Sequence, residues 1–131
     1  MLGIDTNVIL RFLVRDDEAQ FEKARRLIKH EVGAGENVFI SLLVLLESEW
    51  VLRSRYGLEK TEIIEALSTL LDAMQVRFED EPAIEEALFI WKDAAAEFAD
   101  CLIGARNRRL GCRATATFDA KAVKLPDFVA L

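Results

Sequence analysis

The chain has one histidine, two cysteines and two prolines in 131 residues, and it lacks a long apolar run. Each scarcity excludes a class. The only histidine, His30, lies among Arg25, Arg26, Lys29 and Glu31, a charged helical stretch that predicts a solvated position. Ser-His-Asp and Cys-His catalysis therefore have no convincing base. Cys101 and Cys112 make neither a disulfide framework nor a zinc site, and both are expected as buried thiols. Six glycines and two prolines exclude collagen-like and low-complexity chains. The longest uncharged apolar stretch, Val38 to Leu46, has nine residues. A membrane span needs about 20, so no membrane association is expected. At the start, Met1-Leu2-Gly3-Ile4-Asp5 has an acid where a signal peptide would have basic residues, so a cytoplasmic location is expected.

What is present suits a globular chain. The hydrophobic fraction is 52%, enough for a core, and no linker or repeat interrupts it. A single domain over 1–131 is expected. The formal net charge of −6 is uneven: residues 61–99 hold ten acids and two bases, whereas residues 100–131 hold three and six. An acidic chain is not what bulk phosphate binding selects. Yet Arg106, Arg108, Arg109 and Arg113 stand close together. They form either a local nucleic-acid-binding patch or a solvated helix end that complements the helix dipole.

Apolar runs and helical periodicities alternate along the chain. Strands are predicted at Met1–Ile4, Val38–Ile40, Val76–Phe78, Arg113–Thr117 and Phe128–Ala130. Helices are predicted over about 8–14, 18–32, 42–55, 61–74, 83–96 and 98–110, with one helical turn at 120–123. Strand followed by helix, repeatedly, implies an α/β fold: a central parallel sheet of four to five short strands covered by helices on both faces, three layers in all. Sites in such folds lie past the carboxyl ends of strands.

Two acids fall there, Asp5 after the first strand and Asp119 after the fourth. Two more stand inside apolar helical sequence. Glu47 has Leu43, Val44, Trp50 and Val51 three and four positions away, which predicts a carboxylate at the centre of an apolar face. Asp100 sits in Phe98-Ala99-Asp100-Cys101-Leu102-Ile103. Each has a structural alternative: Asp5 as a helix cap, Asp119 as a turn initiator, Glu47 as the partner of Arg53 or another arginine, Asp100 as an N-cap. If the four converge, repulsion is large: two unit charges about 4 Å apart cost roughly 4 kcal/mol at an effective dielectric near 20. Such a group takes up protons or a cation, and Mg2+ or Mn2+ suits carboxylate and water oxygens. Phosphodiester hydrolysis by metal-activated water is chemistry of this kind.

These residues resemble the motifs of the PIN domain family. Gly3-Ile4-Asp5-Thr6-Asn7-Val8 resembles its opening. Leu42 to Glu47, continuing to Trp50-Val51-Leu52-Arg53, is similar to its second acidic motif. Phe98-Ala99-Asp100-Cys101-Leu102-Ile103 and Thr115-Ala116-Thr117-Phe118-Asp119 resemble the third and fourth, in family order. Length and composition resemble the VapC-type toxins of toxin–antitoxin pairs. The resemblance implies a PIN-like fold and a Mg2+- or Mn2+-dependent ribonuclease. Asp5, Glu47, Asp100 and Asp119 would be its catalytic and metal-binding acids, supported by Asn7 and Thr117. Glu97 stands where the family often has Asp and would assist through water or lie exposed. Cys101 replaces the usual Ala.

The resemblance also implies partners: an RNA substrate, a cognate antitoxin that fills a groove near the acids, and a second copy in a homodimer. Leu13, Leu45, Trp50 and Leu52 could line that groove, or belong to the core. The alternative is a non-catalytic PIN-like module that binds RNA or protein. Four acids argue against it, because a binder of polyanions has no use for an acidic pocket. A receiver-type signalling domain would need an acidic pair after its first strand, where this chain has only Asp5.

Overall fold

In the computed structural model, which describes all 131 residues, strands and helices alternate as the sequence predicts. The first elements are β1 (Leu2–Gly3), α1 (Thr6–Leu13), α2 (Glu18–Gly33), β2 (Val38–Ile40), α3 (Leu42–Ser54), α4 (Lys60–Leu71) and β3 (Val76–Phe78). Then come α5 (Glu81–Trp91), α6 (Phe98–Arg109), β4 (Thr115–Thr117), a 3-10 turn at Ala122–Lys124 and β5 (Phe128–Ala130). All five strands pair in parallel, in one set ordered β1-β2-β3 and another of β4 with β5. These sets belong to two compact units, Met1–Glu79 and Asp80–Leu131.

In the first unit, β2 is central: Leu2 pairs with Val38 on one side, and Val38 pairs with Val76 on the other. Val38 and Ile40 are buried while Phe39 between them is less so, the alternation of a pleated strand. Helix starts follow side-chain caps. Asp5 accepts from the Val8 amide (3.1 Å), Asp17 from Gln20 (3.0 Å) and Ser41 from Val44 (3.2 Å). Ile9 and Leu10 of α1, Leu45 and Leu52 of α3, and Ile63 and Leu67 of α4 supply the core. Each such side chain contributes about 1.5–3 kcal/mol by leaving water. A polar tie joins Arg11, Asp16 and Tyr56: Arg11 and the Tyr56 hydroxyl both donate to Asp16, at 2.6 and 3.0 Å.

In the second unit, Thr115 pairs with Phe128 and Thr117 with Ala130. Ala83, Ile84, Ala87 and Trp91 of α5 and Phe98, Leu102 and Ala105 of α6 are buried, with the Trp91 and Phe98 rings 5.2 Å apart. Gly104 leaves room for Phe128; a Cβ there would lie 2.5 Å from the ring. α5 ends at Trp91, five residues before the predicted Ala96, and α6 follows as a separate helix.

Asp80 opens this unit in the left-handed conformation, φ 53°, and its side chain is only 4% exposed. It accepts from Arg106 (2.6 Å) and from Arg109. Burial alone would raise its carboxyl; the two guanidinium hydrogen bonds outweigh burial and hold it below the usual value. A depressed carboxylate stabilises the fold above the unfolded pKa near 3.9, and that stability is lost as pH falls through the folded value. Asn tolerates the same backbone conformation, so Asp80→Asn isolates the charge. Both arginines are partly exposed, so the expected loss is about 1–2 kcal/mol at neutral pH. The gap to the parent should close below about pH 4. Urea titrations at neutral and acid pH check this; an equal gap at both would overturn it.

Candidate active site

In the first unit the candidate site begins where β1 ends. Ile4 still donates to the Phe39 carbonyl (3.0 Å), and the chain then turns through Asp5 into α1. Asp5 is exposed and its Oδ1 is engaged as a cap, so the cap alternative is fulfilled. Its second oxygen stays available, so capping does not preclude ligation. The adjacent Thr6 is buried and its hydroxyl donates to Glu47 Oε1. That bond ties the start of α1 to the middle of α3. Asp5, Thr6, Asn7, Glu47 and Arg55 line a cleft of about 250 Å3, closed on its apolar side by Leu10 and Val51. Asn7 is exposed.

Glu47 corrects one expectation. It does not sit in a buried apolar face: it is exposed, and its neighbours Leu43 and Trp50 are 79% and 58% exposed. The buried acid of α3 is Glu49, whose side chain is 3% exposed and accepts from Arg53 Nε at 3.0 Å. The core ion pair weighed for Glu47 is thus made by Glu49. α3 begins Leu42-Leu43-Val44-Leu45-Leu46, apolar on all sides, so counting apolar neighbours could not select the inward face.

In the second unit Asp119 follows β4. The Asp119 amide donates to Thr117 Oγ1 at 3.0 Å, while Asp119 Oδ1 accepts from the Lys121 and Ala122 amides at 2.7 and 3.1 Å. Thr117 therefore shapes the turn that presents Asp119. The Ala122 and Lys121 N–H groups hold its carboxyl below the usual value. Asp100 lies in the first turn of α6 and is half-buried; the N-cap is Glu97 rather than Asp100. Burial pushes the Asp100 carboxyl up, and the negative charges of Asp119 and Glu97 push it further. Glu97, Asp119 and Lys121 line a cleft of about 510 Å3. The structure thus groups Asp100, Asp119 and Glu97 electrostatically and links Asp5 to Glu47 through Thr6. Within neither unit do three or more carboxylate, His or Cys side chains come together in a group that could hold a metal ion.

The arginine cluster at the end of α6 has internal partners. Arg106 and Arg109 converge on Asp80. Arg108 pairs with Glu86 (2.5 Å) and donates to the Pro126 carbonyl (2.9 Å). Arg113 is exposed and makes no ion pair. The candidate residues that the sequence did not single out are Thr6, Lys23 and Arg55. Lys23, with Gln20, Val8, Ala24 and Leu27, lines a second cleft of about 350 Å3 that also reaches Asp5 and Asn7. Arg55, just past α3, reads in sequence only as a dipole-complementing cation. His30 is exposed as expected. Cys101 is buried, but Cys112 is exposed, which corrects that expectation: it follows Gly111 (φ 94°) in the turn after α6.

The sequence model of the PIN domain matches residues 3–127. A curated relative, a VapC ribonuclease of Aquifex aeolicus (strain VF5), is 27% identical over 122 residues, covering 93% of this chain and 90% of the relative. Among solved structures, Mycobacterium tuberculosis VapC20, described as a Sarcin-Ricin loop cleaving toxin, is similar at 22% identity and a TM-score of 0.43. That match covers 93% of this chain and 92% of the other.

Proposed function

The chain belongs to the PIN domain family, and on that premise we propose that it is a Mg2+- or Mn2+-dependent ribonuclease, the toxin of a toxin–antitoxin pair. The observation that carries this reading is the placement of Asp5 and Asp119. Each follows a parallel strand and has one oxygen engaged by backbone N–H, from Val8 at Asp5 and from Lys121 and Ala122 at Asp119, with the other oxygen free. Glu47, tied to the start of α1 through Thr6, and Asp100, beside Asp119 and Glu97, are the remaining acids of this reading. The family match runs through both units, which supports reading 1–131 as one nuclease domain.

The donor set fits a hard cation. Every candidate ligand is a carboxylate, and no imidazole or thiolate stands among them. Mg2+ commonly keeps several waters and takes only one or two carboxylates, so a closed protein cage is not required. The charge that Asp119 and Glu97 impose on Asp100 is what a cation would relieve. Asp5, Glu47, Asp100 and Asp119 would hold the ion, which when bound supplies Lewis-acid polarisation of water and of a phosphoryl oxygen. Thr6 orients Glu47, Thr117 fixes the turn of Asp119, Asn7 faces the cleft, and Glu97 adds negative charge.

The toxin reading brings a cognate antitoxin and a homodimer with it. On α3, Leu45 and Leu52 belong to the core, whereas Leu43 and Trp50 are exposed and free for a protein partner. No helix is long and apolar enough to cross a membrane.

Mn2+ or Mg2+ should raise the melting temperature, because a ligand of the native state alone stabilises it, by about 2.7 kcal/mol at a hundred times Kd. Cleavage of single-stranded RNA should depend on the same ion. A titration to millimolar Mn2+ that changes neither stability nor cleavage would remove this reading. RNA binding without cleavage in Mn2+ would favour the non-catalytic module.

A further inference from the structure

Two clefts of the first unit meet at Asp5 and Asn7, which line both. Each is also lined by a cation without a carboxylate partner: Arg55 in the smaller cleft and Lys23 in the larger. The other cation of the larger cleft, Arg11, is already committed to Asp16 at 2.6 Å. The same holds for Arg106, Arg108 and Arg109, which all have carboxylate partners. Cations free to exchange small counterions for phosphate are those that strengthen binding to a polyanion.

The two clefts, about 250 and 350 Å3, sit at or below the small end of ligand pockets, which suits single nucleotides rather than a duplex. Apolar Val8, Ala24 and Leu27 line the larger cleft with Lys23 and offer a surface for an unstacked base, and Gln20 and Asn7 add amide groups that can meet base edges.

We propose that single-stranded RNA crosses this unit with one backbone phosphate on Lys23 and another on Arg55, so that the phosphodiester at Asp5 is flanked by two fixed cations. This rests on the ribonuclease reading. Lys23 and Arg55 hold and register the strand and take no part in proton transfer.

The test uses the full chain carrying Asp119→Asn, so that RNA survives, with Mg2+ present. Binding of a short fluorescein-labelled single-stranded oligoribonucleotide is followed by anisotropy over a range of salt. Lys23→Gln and Arg55→Gln should each weaken binding and lower the slope of log K against log salt by about 0.7, the value for one phosphate on a single strand. The double variant should lose both increments. Lys23→Arg and Arg55→Lys should keep the slope. In the otherwise unaltered protein, the Gln variants should raise KM with little change in kcat. Unchanged slopes in both Gln variants, while the parent still cleaves RNA, would overturn this inference and leave the ribonuclease reading standing. Loss of slope in the charge-retaining variants would also overturn it. A parent that neither binds nor cleaves RNA would overturn both.

Discussion

Asp5→Asn, Asp100→Asn and Asp119→Asn are each expected to lower metal-dependent RNA cleavage by at least on the order of a hundredfold to a thousandfold. The amide keeps the size of the carboxylate and loses the charge that holds a cation. Stability should separate the three. At Asp5 the side chain caps α1, and Asn caps as well as Asp, so that variant should be as stable as the parent. At Asp100 burial and the charges of Asp119 and Glu97 raise the carboxyl, so the ionised form burdens the fold at neutral pH. A raised carboxyl stabilises the fold at acid pH, and this is lost as pH rises through it, so Asp100→Asn should gain stability at neutral pH in chelator. At Asp119 the sign reverses: the Ala122 and Lys121 amides hold the carboxyl low, so its charge supports the fold and the Asn variant should lose some stability. Thermal melts in chelator, with cleavage assays in Mn2+, check all three. Full cleavage by Asp5→Asn and Asp119→Asn would end the nuclease reading.

The helix starts were legible because they are written locally. Asp17 and Ser41 precede their helices in sequence and cap them in the structure, and strands Val38–Ile40, Val76–Phe78 and Phe128–Ala130 have the predicted bounds. Ends without such punctuation drifted. Ala94, Ala95 and Ala96 favour helix intrinsically, yet α5 stops at Trp91, where Trp91 is buried and its ring meets Phe98. The acids after strands were readable from β1 and β4 because the end of a parallel strand is a position in sequence as well as in space. The fate of the arginines was not readable. Asp80 lies 26 residues before Arg106, and only the packing of α5 on α6 shows that Arg106 and Arg109 share it. Lys23 and Arg55 have no motif; they are distinguished by lining clefts that reach Asp5.

Glu49→Ala should destabilise the protein by about 2–4 kcal/mol, whereas Glu47→Gln should leave stability nearly unchanged and abolish most cleavage. The two acids are two positions apart on α3 and face opposite ways. Glu49 is buried with Arg53 as its ion-pair partner; the Arg53 side chain is 39% exposed. Removing the carboxylate deletes buried contacts and takes a charge-assisted hydrogen bond from Arg53. Water reaching the guanidinium offsets part of that loss, which places the value at or below the range for a fully buried pair, about 3–5 kcal/mol. Glu47 is exposed and accepts from Thr6, and a Gln carbonyl can accept the same hydroxyl, so the fold keeps its bond while the charge is gone. Urea titration and cleavage per folded molecule therefore give opposite patterns: Glu49→Ala unstable but active once folded, Glu47→Gln stable but inactive. An unstable Glu47→Gln would return Glu47 to a structural role, and an inactive but fully stable Glu49→Ala would place Glu49 in the chemistry instead.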